Sequence, residues 1–348
     1  MLATSLHRRG AGLCAATALA GALTGCSASQ GPADGGLTPA AAPLGYARQT
    51  VPAGKGQTLF VADRSGAIYG YRAESKGNVA PSVTISGPNT GLQDPIAFTV
   101  DSSGKLYAAN DSAQSISIFP AGSNGDVAPA VLGGSNIPLQ AVEGVAVDRN
   151  GLIYVSDYEG LQVLVFAAGS TGNTAPIRTI AGSNTGLTEP TGMAFDSKGD
   201  LYVANSSQNG ASIVEFAPGA NGNVAPIGTL GIAGGGGAST LYGAFNVQIG
   251  ANDEIIVPNS VHNSVDIFKN GAKGNVRPNA VLTGANTGLN DITSLGLDAK
   301  GFIYVTNFTA DAAQVSVFRP SAKGDSKPVR VLQGATTGLT DAFYPSFI

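Results

Sequence analysis

GVAVDRNGLIYVSD, residues 144–157, holds two short apolar runs on either side of a turn at Asn150-Gly151. Side chains alternate with period two, β-branched and aromatic residues are enriched, and Gly151 can take the positive φ of a tight turn. The segment therefore predicts a pair of antiparallel strands. Its second run recurs six times and always ends in Asp or Asn: TLFVAD at Asp63, KLYAAN at Asn110, LIYVSD at Asp157, DLYVAN at Asn205, EIIVPN at Asn259 and FIYVTN at Asn307. The spacings between these ends are 47, 47, 48, 54 and 48 residues.

Each copy is followed by a second run that ends in an aromatic residue: Tyr71, Phe119, Phe166, Phe216, Phe268 and Phe318. A turn block comes next, such as GNVAP at 77–81, GDVAP at 125–129 or GNTAP at 172–176, then a third run and, in four copies, an NTGL or TTGL loop. A fourth run (FTVD, VAVD, MAFD, LGLD) leads into the next copy. Each unit thus has four short strands and cannot bury both of its faces alone, so the units must stack, and radial packing into a β-propeller achieves this. The expected fold is all-β, a propeller of six four-stranded blades.

Composition agrees with this reading. Of 348 residues, 49 are Gly and 19 Pro, which argues against a helical bundle, and 43% apolar residues with 12% charged ones argue against wholesale disorder. A net charge of −4 with 19 Lys and Arg lacks the electrostatic footprint that nucleic-acid binding needs.

The recurrent pattern G-x-A-x-D-x-x-G-x-[IL]-Y-V-[AST]-[DN] resembles NHL-type propeller repeats, and the match runs from about Gln57 to the C-terminus. Blades are expected at about 57–95, 96–142, 143–190, 191–243, 244–291 and 292–342. The first begins directly at its second strand, and residues 343–348 align with the missing first strand, so the C-terminal segment is expected to clasp the ring closed. Arg48–Val51 is the competing candidate, favoured by Pro345 in the tail, since proline cannot donate to a ladder.

The N-terminus reads as an address. Arg8 and Arg9 precede the short apolar stretch Ala11–Leu23, too short to span a bilayer, and Leu23-Thr24-Gly25-Cys26 resembles the lipobox of bacterial lipoproteins. The resemblance implies a signal peptide over 1–25, acylation of Cys26 and a membrane anchor in the cell envelope, with a neutral Ser27 matching outer-membrane sorting in a Gram-negative host. Residues 26–50 then form a tether rich in Ser, Gly, Ala and Pro ahead of the propeller at 51–348. After processing, His262 is the single histidine and no free thiol remains.

Function is expected on one rim. In a four-stranded meander the loops after the second and fourth strands emerge on the same side. The ring of Asp63, Asn110, Asp157, Asn205, Asn259 and Asn307 therefore shares a rim with the NTGL loops. Its oxygens either converge on a hard cation such as Ca²⁺ or each bond the backbone of their own loop. Departures from the repeat on that rim are candidate ligand contacts: Arg64, Asp111, Tyr158, Glu159, Tyr242, His262 and Phe308. Asp94, Glu143, Glu189, Asp291 and Asp341 precede or begin the inner strands. His262, Glu143 and Glu189 are the candidate acid/base groups, and the fourth unit carries an insertion around Gly234–Gly237.

Streptogramin-type lyases, as a family, lean on histidines, and a zinc site needs His or Cys, so one histidine weakens both readings. Neither a G-x-S-x-G elbow nor a phosphate-cradling loop is present. The leading expectation is a lipid-anchored envelope propeller that binds a protein, peptide or glycan through its rim. The alternative is a calcium-dependent hydrolase resembling the lactonase propellers, with Glu143, Asn205 and Asn259 as ligands by analogy. A purely structural role in the envelope is a third reading.

Overall fold

The computed structural model describes residues 56–206, 210–232, 238–239, 241–309 and 312–348. The signal segment, Cys26, the tether and Gly234–Gly237 lie outside the described residues, as does the Phe308 side chain.

The period-two runs form six antiparallel sheets of four strands each. Blade 3 is representative, with Val142–Val147 innermost, then Ile153–Asp157, Gln162–Phe166 and Arg178–Ala181 outermost. Its second strand is buried along its whole length because both of its faces pack against neighbouring blades. The recurrent aromatics fill the spaces between blades: Tyr71, Phe119, Phe166, Phe216, Phe268 and Phe318 are all essentially inaccessible. Each such burial contributes roughly 1.5–3 kcal/mol.

Blade 1 is completed from the far end of the chain. Ala342–Phe347 pairs antiparallel with Thr58–Asp63, Leu59 opposite Phe347 and Asp63 opposite Ala342. Thr58 N and Ile348 O close the end of this ladder at 2.9 Å. Pro345 is tolerated because the strand is innermost, where one edge faces the axis and needs no donor.

A second set of contacts closes the ring from outside. The Gly of every turn block forms a parallel bridge to the outermost strand of the preceding blade: Gly77 to Leu332, Gly125 to Ile85, Gly172 to Leu132, Gly222 to Ile180, Gly274 to Leu230 and Gly324 to Leu282. All six glycines have positive φ, the reason that residue recurs there. The Asn or Asp that follows accepts a backbone N–H from the loop after that same outer strand, as in Asn184 N to Asn223 Oδ1 at 2.7 Å and Thr336 N to Asn78 Oδ1 at 2.7 Å. The GN or GD dipeptide is therefore a latch between blades, and it covers sheet edges that would otherwise be open.

Inner strands meet closely at the axis. A Cβ on Gly144 would overlap the carbonyl of Thr191, and one on Gly296 would overlap that of Pro345. Five of the six inner strands shift register near their start, at Val61/Ala62, Pro95/Ala97, Val142/Gly144, Pro190/Met193 and Ile292/Ser294. Blade 5 differs, since its inner strand is reduced to Gln248–Ile249.

Candidate functional site

All six Asp and Asn side chains of the ring are buried, and their hydrogen bonds run to their own loops. Gln93 N donates to Asn110 Oδ1 at 3.1 Å, Ala141 N to Asp157 Oδ1 at 2.8 Å, Thr188 N to Asn205 Oδ1 at 3.0 Å and Tyr242 N to Asn259 Oδ1 at 3.3 Å. In blade 1 the donors come from the clasp, with Thr340 N and Asp341 N 2.7 and 2.9 Å from Asp63 Oδ2. Asn307 Nδ2 donates to Gly288 O at 3.2 Å, while its Oδ1 has no hydrogen-bond partner among the described residues. The recurring residue thus ties the loop before an inner strand to the end of the strand beside it.

Inside the ring, the register shifts govern what faces the axis. A bulge re-aims a side chain out of the ladder, and the residue displaced in blade 3 is Glu143, which is partly exposed at the axial mouth. Arg64, from the first hairpin of blade 1, forms an ion pair with Asp94 of the next blade. Its Nε meets Asp94 Oδ1, and its Nη2 lies 2.7 Å from Oδ2. The same guanidinium lies over the Phe343 ring at 5.6 Å. Asp94 itself adopts a left-handed backbone, φ 54°, as does Tyr344 at 39°. Strain of this kind persists where surrounding contacts enforce it.

The mouth is electrostatically one unit. Burial, followed by repulsion from Asp111 and Asp94 and partly offset by Arg64, pushes the Glu143 carboxyl up to about 8. Asp111 is raised by burial and by Asp94, and Asp341 by burial, with Arg64 opposing. Arg64 is held charged chiefly by its hydrogen bond to Asp94. Tyr158 is pushed up to about 12 by burial and then by Glu189, to which its hydroxyl donates. Four carboxyl groups from three neighbouring blades therefore surround one arginine, and at neutral pH Glu143 keeps its proton.

Asp291 adds its charge beside Asp341, whereas His262 and Tyr242 fall outside this cluster. His262 is exposed and meets Tyr242 edge to face, ring centroids 5.2 Å apart. The group on which its charge acts is Asp266 of its own blade. Glu159 is exposed beside Tyr158, adding charge to the edge of the mouth.

Tyr344 and Asn246 also stand on the axis, and the repeat gave no signal for them. Tyr344 Oη donates to Phe245 O at 2.7 Å, and Asn246 Nδ2 donates to Ser294 Oγ at 2.8 Å. Tyr344 feels the charge of Glu143 and also lines a second opening on the opposite face, so it stands between the two. That opening is a cavity of about 800 Å³ lined by the inner hairpins, including Asp101, Arg149, Phe195 and Asp298, and by the chain end at Phe347 and Ile348.

Residues 139–166 match the NHL repeat family model. No curated protein matches the chain. Among solved structures, a Bacteroides caccae protein of unknown function superposes with a TM-score of 0.61 at 12% identity, covering 84% of this chain and 99% of that one. A putative 6-phosphogluconolactonase from Bacteroides fragilis gives 0.53 at 16% identity, with 85% of each chain covered. A second putative 6-phosphogluconolactonase, from Bacteroides uniformis, gives 0.52 at 14% identity over 77% of this chain and 80% of that one. At these identities the likeness is one of fold.

Proposed function

We propose that this propeller is a binding module of the cell envelope, held by lipid at Cys26, that takes a peptide, protein or glycan ligand at the mouth formed by Arg64, Asp94, Asp111, Glu143 and Asp341. The observation that carries the reading is the gathering of Arg64, Asp111 and Glu143, which depart from the repeat, with the loop acids Asp94 and Asp341 at one axial opening, while the ring Asp and Asn side chains serve their own loops. A mouth with several carboxylates, one arginine and a protonated Glu143 offers both donors and acceptors. It suits a ligand that presents a basic group together with hydroxyl or carbonyl oxygens, and Tyr158 adds an aromatic wall.

The hydrolase reading draws on Glu143, because a carboxyl that keeps its proton to about pH 8 has the character of a general acid. Against it, the Arg64 guanidinium neutralises Asp94 at this mouth, and Asn205 and Asn259, the ligands that reading would use, accept backbone N–H groups of their own loops.

Binding to defined panels of basic and neutral peptides and of glycans tests the proposal. Arg64→Ala and Glu143→Gln should each weaken the bound ligand at least about tenfold, the loss of one buried polar contact. Lys105→Ala, on the opposite face, should leave it unchanged. Equal binding by all variants, or a panel that yields no ligand, contradicts the reading. The anchor is tested separately: Cys26→Ser should release the chain from the membrane fraction.

A further inference from the structure

We infer that Asn270 is a self-modification site, at which the backbone nitrogen of Gly271 converts the side-chain amide to a carboxylate with release of ammonia. Asn270 lies in the turn that follows the third strand of blade 5, Ser264–Phe268. Both residues are exposed, so water reaches them. Ala272 N donates to Lys269 O at 3.1 Å, which makes Asn270 and Gly271 the two central residues of the turn, and Gly271 has φ 70°. A positive φ at the third position fits a type II turn, which leaves the N–H between its central residues without an internal partner. Gly271 N accordingly donates to no group among the described residues.

The other Asn-Gly pairs among the described residues lack this freedom. Gly125 N donates to Thr84 O and Gly222 N to Thr179 O, both at 2.7 Å, while Asn124 Oδ1 and Asn221 Oδ1 accept Thr84 N and Thr179 N at 2.9 and 3.1 Å. Those two pairs are held by the latch between blades. Gly151 N closes its hairpin on Asp148 O at 2.9 Å, and Asn150 N donates to Asp148 Oδ1 at 2.8 Å. A further pair, at Asn209, lies outside the described residues. Attack on the amide carbon needs a nitrogen that can swing towards it, so each of these bonds must first open. At Asn270 the side-chain contact among the described residues is Nδ2 to Asp253 Oδ2, long at 3.4 Å. The other blades place Ala73, Ala121, Ala168, Pro218 and Pro320 at this turn position, so blade 5 alone presents an amide there.

In the reaction, Gly271 N bonds to Asn270 Cγ, the bond from Cγ to Nδ2 breaks, and the Gly271 proton leaves with Nδ2 as ammonia. Water then opens the cyclic imide at either carbonyl, which returns an aspartate or an isoaspartate whose backbone runs through Cγ. The net change is amide plus water to carboxylic acid plus ammonia. The product faces Asp253, whose Oδ1 accepts Ser197 N at 2.9 Å and whose Oδ2 accepts Ser197 Oγ at 2.6 Å. Asp253 thereby ties the innermost hairpin of blade 4 to that of blade 5, from a left-handed backbone at φ 58°. Conversion replaces a hydrogen-bond donor by a like charge at that seam, in the blade whose inner strand is only Gln248–Ile249. The ring therefore loosens between blades 4 and 5 as the chain ages.

The test is peptide mapping by mass spectrometry of the folded full chain aged at mildly alkaline pH, with isoaspartate detected by its enzymatic methylation. Asn270 should convert at least about fivefold faster than Asn124, Asn150 or Asn221, the effect of one hydrogen bond. In denaturant the four sites should convert at similar rates. Asn270→Ala should stop conversion in this turn and melt like the wild type, whereas Asn270→Asp should melt lower, with circular dichroism confirming that both are folded. Equal rates at the four sites in the folded chain, or no conversion at Asn270, overturns the inference. So does a preference for Asn270 that persists unchanged in denaturant, since it would belong to the sequence and not to the fold. An Asn270→Asp variant that melts at or above the wild type overturns the loosening of the seam.

Discussion

On the face that carries the Asp and Asn ring, the axial opening is charged, with Arg64, Asp94, Asp111 and Asp341 around a protonated Glu143. On the opposite face the inner hairpins surround a cavity of about 800 Å³, and their acids are spent on the hairpins themselves. Asp101 Oδ1 accepts from Ser103 N at 2.8 Å and Lys105 N at 3.0 Å, and Asp298 Oδ1 from Lys300 N and Phe302 N at 2.9 and 2.8 Å. The same repeat builds both faces. A polar residue present in every blade is consumed by the turn it closes, whereas one present in a single blade has no such duty and is free to meet a ligand.

The clasp strand belongs to both faces, from Ala342 beside Asp63 to Phe347 at the cavity, so removing it should have the largest effect. Deleting Phe343–Ile348 withdraws three buried aromatics, Phe343, Tyr344 and Phe347. At roughly 1.5–3 kcal/mol each, this loss is comparable with the whole stability of an ordinary domain. The truncated chain should lose its cooperative melting transition, and unchanged melting would refute closure by this strand.

A smaller loss is expected from Gly296→Ala, whose Cβ would strike the Pro345 carbonyl where blade 6 meets the clasp. Overpacking of this kind costs about 1–3 kcal/mol in chemical denaturation. Because the substitution lies on the cavity side, ligand binding at the charged mouth should persist while stability falls.

Glu143→Gln is expected to change stability least below pH 4.5, where the native carboxyl is neutral like the amide, and its effect grows with pH. The folded chain holds the Glu143 proton to about 8, while the unfolded chain releases it near 4.5. Between these values the native state binds more protons, so this group's stabilising contribution is complete below pH 4.5 and is lost as pH rises through 8. The variant should melt higher than wild type at pH 8 and show a flatter profile from 4.5 upward. Parallel profiles for the two proteins would mean that Glu143 is not buried among like charges.

The number of blades, the four strands in each and the terminal clasp were legible because period-two runs and turn blocks repeat at nearly constant spacing. The GN and GD dipeptides were legible only as turns. Their role as latches depends on where the preceding blade stands, which no local pattern encodes. For the mouth, sequence supplied Arg64, Asp111 and Glu143 as departures from the repeat, and topology then brought them together from three blades. Tyr344 escaped notice because a bulge with positive φ, not the alternation, turns it onto the axis.

Carbon-13 NMR titration of the Glu143 carboxyl in the folded chain tests the convergence of blades 1, 2 and 3 on one mouth. The expected midpoint is near 8 in wild type, higher in Arg64→Ala and lower in Asp111→Asn, because Arg64 lowers this value and Asp111 raises it. A midpoint near 4.5 that neither substitution moves would contradict the account.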